Sequence, residues 1–364
     1  MKEFVHEWLP QRVVFCTNTS DVQIVKEIRQ EEYERVMVIA SEFEMDLAQR
    51  IAKDLPVVHW FDDVRMHVPV DAIERALEEA RRVNADVLVS VGGGSTTGLA
   101  KAIALETNLP IIAVPTTYAG SEATNVWGRT ADSVKTTGKS SRVLPRVVLY
   151  DAALTVSLPV EMSVASGLNG IAHGVDSLWA PNANPFNTVL AIESVGALAD
   201  GIRKIRQEPD NLEARTDALY GTYLAGVAFA AAGSGMHHKI CHVLGGMYDL
   251  PHAQTHSVIL PYVLAFNSGH IPAIEQRLAD VLSAPSALEG LEELRSELSA
   301  PRALHDYGFA PDMIPRVVDA VLKAVPENNP RPVTAPDITR LLELASEGGD
   351  PRELQTTLER SYGS

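Results

Sequence analysis

The run DVLVSVGGGSTTGLAK, residues 86–101, sets an apolar β-rich stretch, three glycines and a hydroxyl-rich helix start one after another. Asp86 to Val91 reads as a strand, Gly92 to Ser95 as a turn, and Thr96 to Thr107 as a helix. Glycines let backbone N–H groups approach a phosphate, and the start of the following helix adds unpaired donors and the positive end of its dipole. A pyrophosphate cradle and a tight structural turn both satisfy this pattern. The G-x-G-x-x-G dinucleotide fingerprint is not met, because the next glycine after the triplet is Gly98.

Outward from this turn the same alternation repeats. Arg12 to Cys16, Val36 to Ala40, Val57 to Phe61, Ile111 to Pro115 and Val147 to Tyr150 read as strands, and Asp21 to Arg29, Glu44 to Lys53 and Val70 to Val83 as helices. Strand and helix in alternation imply a parallel sheet with helices on both faces. A second polar turn, PTTYAGSE at 115–122, follows the next strand. Loops leaving the C-terminal ends of neighbouring parallel strands open on one crevice, where such sheets bind ligands. The candidate cofactor contacts are therefore Gly93, Gly94, Ser95, Thr116, Thr117, Ala119 and Ser121. The polar stretch from Gly128 to Pro145, a hairpin or loop, adds Lys135.

From about Glu161 onward the spacing is helical, beginning with Ser163 to Ala180 and ending with Pro351 to Tyr362. The expected plan is an α/β nucleotide-binding domain over residues 1–158 and an all-α domain over 159–364, with a cleft between them. In the helical half, GMHHKICHVLGGMYDLPHAQTH at 235–256 holds five of the eleven histidines. His238 and His242 are four apart, as are His252 and His256, so each pair shares a helix face. Gly245 and Gly246 are expected to end the first helix and Pro251 to open the second. Any one of these histidines alone is as well read as an ordinary helix residue; five together suggest proton transfer, metal binding or anion binding. Lys239 stands where His-Glu-x-x-His needs its glutamate, which excludes a zincin. Earlier in the chain Asn169 and His173 share a face, and Asp176, a turn further on, could orient His173.

Composition narrows the classes. The 364 residues are 46% hydrophobic and 21% charged, with a net charge of −16. That charge argues against nucleic acid or an anionic membrane as partner. With two cysteines, Cys16 and Cys241, no secretory-type apolar core near the start and no membrane-length apolar run, a cytoplasmic protein is expected.

Taken together these motifs resemble the iron-containing alcohol dehydrogenase superfamily, and within it the maleylacetate reductases. The resemblance spans nearly the whole chain: GGGSTTGLAK at 92–101, PTTYAGSEAT at 115–124, KTTGK at 135–139, VLPRVVLYD at 143–151, NGIAHGVDSLWAPNANP at 169–185, the histidine stretch, and NNPRPVT at 328–334. It implies a homodimeric oxidoreductase that uses NADH or NADPH to reduce the carbon–carbon double bond of maleylacetate, a small dianion, to 3-oxoadipate in aromatic degradation. The alternative within the superfamily is a metal-dependent alcohol dehydrogenase.

Metal-dependent members bind their ion through an aspartate and three histidines, which match Asn169, His173, His238 and His252. A neutral amide replaces the anionic ligand, so no metal is expected, with His173, His238 and His252 as ligands only if one is bound. Instead the resemblance implies imidazole N–H donors at His173, His238, His242 and His252, with His237 the next candidate. Ser41 stands where NAD-selective members carry an aspartate, and the turn has Thr96 and Gly98 where many members have a proline and an aspartate. Loss of that aspartate leaves NADPH admissible, so little discrimination between the two cofactors is expected.

Overall fold

The computed structural model describes residues 3–66, 68–131 and 134–355. The chain divides into two compact units, one comprising Trp8–Pro159 with Glu208–Leu219, the other Met1–Glu7, Val160–Gln207 and Tyr220–Ser364.

In the first unit six strands form one sheet: β1 (Arg12–Cys16), β2 (Val36–Ile39), β3 (Val57–Phe61), β4 (Val87–Gly92), β5 (Ile111–Pro115) and, after a hairpin of β6 (Val126–Ala131) and β7 (Val134–Lys139), β8 (Val147–Asp151). Their order is β1-β8-β5-β4-β2-β3, and every pairing is parallel. Alternate residues of each strand face opposite ways. Val36, Val38, Val87, Val89, Ile112 and Val114 lie in a core with Ile24 and Ile28 of α1 (Ser20–Gln30) and Ala48 and Ile51 of α2 (Met45–Ile51). Met37, Ile39, Leu88 and Ile111 lie in the other core, with Ile73 and Ala76 of α3 (Val70–Arg82) and Leu99 and Ile103 of α4 (Gly94–Thr107).

This layering fixes where a ligand can bind. From β2 the chain leaves through α2 toward β3, and from β4 through α4 toward β5, so the two connections depart in opposite directions on opposite faces. The crevice between the C-terminal ends of β2 and β4 is the topological switch point, the place where such sheets take nucleotides. The helix α4 begins at Gly94, two residues earlier than the sequence pattern suggests, so Gly93 is its N-cap and Gly94 and Ser95 belong to its first turn.

The second unit is helical: α5 (Val160–Ser177), α6 (Pro185–Gln207), α7 (Leu212–Ala232, whose first residues belong to the α/β unit), α8 (Met236–Tyr248) and α9 (His252–Ser268). Four more follow, α10 (Pro272–Leu282), α11 (Ala287–Glu297), α12 (Ile314–Ala324) and α13 (Ala335–Glu347). Most of the expected helix from Pro351 to Tyr362 lies outside the described residues. No helix among the described residues is long and apolar enough to cross a membrane.

Gly245 and Gly246 do not end α8, contrary to the expectation from sequence. The helix runs through both to Tyr248, and Asp249, at φ 54°, caps it with its N–H on the Gly245 carbonyl. Helical hydrogen bonding continues because nothing at either glycine forces a left-handed turn. A Cβ at Gly246 would meet open space. Gly246→Ala is therefore expected to stabilise the protein by about 0.5–1 kcal/mol, the helix-propensity gap between the two residues. Urea unfolding of the variant reads this directly, and a lowered midpoint would contradict it.

Candidate active site

The two glycine-bearing turns meet at the C-terminal edge of the sheet. The Thr116 N–H donates to the Gly92 carbonyl over 3.2 Å. A Cβ on Gly93 would lie 3.0 Å from Thr117 Cγ2, and one on Gly94 3.5 Å from Ala119 Cβ. Gly93, Gly94, Ser95, Thr116, Thr117 and Ala119 thus form one cradle at the head of α4, whose first-turn amides lack intrahelical acceptors and carry no side-chain cap. Ser121 contributes a buried hydroxyl with no hydrogen-bond partner among the described atoms. The side chain of Lys135 lies outside the described residues.

A buried cation supports the second turn. Lys101 Nζ donates to the carbonyls of Ser121, Thr124 and Val126 and to Thr124 Oγ1, holding the chain after β5 in place. Burial lowers its pKa to about 7, and the nearby Glu122 opposes that. Ser41 also lies at this edge, and its hydroxyl donates over 2.9 Å to Glu44, a carboxylate absent from the sequence-derived candidates.

In the helical unit α5, α8 and α9 bring the histidines together. His173 stacks on His238 with ring centroids 4.6 Å apart; His238 lies 4.7 Å from His256, and His256 lies 4.3 Å from His252. His242 meets His238 edge-on at 6.0 Å, and Phe229 of α7 packs 4.4 Å from His238. His256, one of the five clustered histidines but given no role of its own from sequence, is the hub: its ring centroid lies within 6.5 Å of those of five other imidazoles, and it shares a 2.9 Å Nδ1···Nε2 contact with His237. Its place one turn after His252 was the signal for it.

Asp176 organises His238, not His173. Its carboxylate accepts the N–H groups of Gly235, His237 and His238, the Trp179 indole N–H at 3.0 Å, and His238 Nδ1 at 2.8 Å. The backbone at Gly235 comes so close that a Cβ there would sit 2.5 Å from Asp176 Oδ1. Burial pushes Asp176 up to about 6 against the hydrogen bonds that hold it down, so it is an anion at neutral pH. An anion can only accept, so His238 Nδ1 carries the proton and Nε2 presents its lone pair. His238 is then a ligand or acceptor and not the N–H donor the sequence suggested. Burial also lowers His173 to about 4 and His237 to about 3, and holds His238 and His256 well below 6.5, so these rings are neutral.

Among the described residues, five buried atoms of Asn169 and the clustered histidines have no hydrogen-bond partner: Asn169 Oδ1, His173 Nδ1, His237 Nδ1, His238 Nε2 and His256 Nε2. Neutral imidazole nitrogens, one of them on a ring backed by a carboxylate, are donors that suit a divalent transition metal, and the Asn169 amide oxygen on α5 keeps a lone pair of the kind a hard cation takes. His237, Cys241 and His256 form a wholly buried group with ligand-capable atoms within 4.8 Å of one another, and burial keeps the Cys241 thiol protonated.

Residues 10–152 match the sequence family described as iron-containing alcohol dehydrogenase, and residues 163–346 match its C-terminal family. The chain belongs to the iron-containing alcohol dehydrogenase family. A maleylacetate reductase of Sphingobium indicum is 43% identical over 351 residues, covering 96% of this chain and 99% of the relative. One from Burkholderia cepacia is 42% identical over 353 residues, covering 96% and 100%. Among solved structures, an iron-containing alcohol dehydrogenase of Corynebacterium glutamicum superposes with a TM-score of 0.96 at 55% identity, covering 97% of this chain and 99% of that one. A maleylacetate reductase of a Rhizobium strain superposes at 0.90 and 41% identity, covering 96% and 100%.

Membership of this iron-containing alcohol dehydrogenase family overturns the expectation that no metal is involved. That expectation rested on Asn169 being neutral. Its physical weakness is that an amide oxygen still coordinates a hard cation, and here that oxygen is buried with no other hydrogen-bond partner.

Proposed function

We propose that this iron-containing alcohol dehydrogenase homologue reduces the carbon–carbon double bond of maleylacetate to 3-oxoadipate with a nicotinamide dinucleotide. The observation that carries this reading is its full-length similarity to maleylacetate reductases, 43% identical over 351 residues in the Sphingobium indicum relative. The cradle of Gly93, Gly94, Ser95, Thr116, Thr117, Ala119 and Ser121 holds the dinucleotide pyrophosphate, with Lys135 as a further contact. Free amides at the head of α4 and the glycines' lack of side chains suit that role.

Asn169, His173, His238 and His252 would hold the iron, which when bound supplies Lewis acidity toward a substrate oxygen. The chain's own groups do the rest. Asp176 fixes the ring and tautomer of His238. Phe229, packed against His173 and His238, excludes water from that face. His242, less buried than His238, offers an N–H group to a substrate carboxylate or to the oxygen that becomes negative. Hydride adds to the alkene carbon β to the ketone, negative charge collects on the ketone oxygen, and a proton completes the neighbouring carbon. Dinucleotide and substrate thus become NAD(P)⁺ and 3-oxoadipate.

The setting that fits this reaction is aromatic catabolism in the cytoplasm, by a homodimer. Light scattering on the eluted protein reports the dimer. The activity test is consumption of reduced dinucleotide with maleylacetate, set against oxidation of simple alcohols. The expected kcat/KM favours maleylacetate, and turnover of alcohols alone would refute the assignment.

A further inference from the structure

The switch-point crevice holds one carboxylate that the cradle does not use. Glu44, just ahead of α2, accepts the Ser41 hydroxyl at 2.9 Å and the Thr116 hydroxyl at 2.6 Å. Its Oε2 lies directly against the place where a Cβ of Gly92 would stand. The carboxylate is thus pinned over the first glycine of the triplet by the loops that follow β2 and β5. Gly92, at φ 150°, must be glycine for its backbone conformation, and a Cβ there would also run into the Thr96 side chain. Glu44 is half-buried. A carboxylate has about four lone-pair directions, and these two hydroxyls use only part of that capacity.

Position gives the group its meaning. Nucleotides lie in the switch-point crevice, here between the ends of β2 and β4, and in nucleotide-binding sheets an acid near the adenosine ribose accepts the 2′-hydroxyl whereas a cation accommodates a 2′-phosphate. Here β2 is the strand beside β4, and the loop after β2 presents Glu44. The Ser41 hydroxyl donates to Glu44, so the serine orients a negative charge at this edge and does not leave it neutral.

We infer that Glu44 determines cofactor choice, accepting the ribose hydroxyls of NADH and repelling the 2′-phosphate of NADPH. The inference rests on the nucleotide role proposed for the cradle, and it replaces the expectation of little discrimination that followed from Ser41 alone. No step of the reduction passes through Glu44, so the substitution acts on binding.

The test is fluorescence titration of the purified full chain with NADH and with NADPH, for the wild type, Glu44→Gln and Ser41→Ala, each checked for an unchanged melting temperature. The wild type is expected to bind NADH tighter than NADPH by about tenfold or more, from one carboxylate facing a doubly charged phosphate at partly exposed separation. Glu44→Gln should weaken NADH, strengthen NADPH and shrink their ratio by about tenfold, with Ser41→Ala between the two. A wild type that binds both equally, or a ratio unchanged in Glu44→Gln, overturns the inference. If the wild type binds neither dinucleotide, the nucleotide role of the cradle is itself refuted, and the two failures are told apart by that result.

Discussion

His238→Ala is expected to lower kcat for maleylacetate by about 100-fold or more, because it removes a ligand of the proposed iron, and even changes behind a metal-ligating histidine cost about 10–100-fold. The substitution deletes a ring whose Nε2 is buried and free of protein partners, and whose Nδ1 is fixed at 2.8 Å by Asp176. Asp176→Asn tests the same device from behind. An amide can donate to Nδ1, which moves the imidazole proton to Nε2 and removes the lone pair. That variant is expected to lose about 10–100-fold in kcat and in iron affinity, as changes behind a metal-ligating histidine do. Dinucleotide binding, measured by titration, should not change. Full activity in either variant would show that His238 is ordinary helix packing.

Stability should fall steeply with acid. His173, His237, His238 and His256 have folded pKa values below the 6.5 of a free imidazole, with burial the first cause. The folded chain therefore binds fewer protons than the unfolded chain between about 6.5 and 4. Their stabilising contribution is complete above 6.5 and is lost as pH drops through that window. At pH 5 each costs about 2 kcal/mol relative to neutral pH. Asp176 works the other way, because its pKa is raised from 3.8 to about 6 and the fold gains as it protonates. One carboxyl opposes four imidazoles, so the net sign is destabilising. Bound metal reinforces it, since its ligands must stay deprotonated. Calorimetry at pH 7.5 and pH 5.0 should show a large drop in melting temperature, and a constant value would mean that the rings are charged in the fold.

The sheet was legible because each strand is a short apolar run closed by glycine, proline or polar residues, and strand period and helix period alternate cleanly. The meeting of the Gly92 and Thr116 turns followed from their positions at neighbouring strand ends. Three features were hidden for physical reasons. Asp176 is a turn from His173 in sequence, but it is captured by the amides at the head of α8, 59 residues on, where Gly235 lets the backbone approach. Gly245 and Gly246 look like a stop signal, yet a glycine ends a helix only where the chain needs the left-handed region, and here Asp249 supplies it. Glu44 sits in a surface-type sequence, SEFEMD at 41–46, where its neighbours Glu42 and Asp46 are ordinary exposed acids; only the register of β2 against β4 aims it at the crevice. Asn169 was read as a departure from an anionic ligand, but its neutrality says nothing about the oxygen lone pair it retains.

The most direct test is to run the reaction with NADH carrying deuterium at nicotinamide C4 and to locate the label in the product. Conjugate reduction predicts 3-oxoadipate with deuterium on the methylene β to the ketone and none on the oxidised carbon. Deuterium on a newly formed carbinol, with the double bond intact, would show an alcohol dehydrogenase acting on the ketone and would contradict the account.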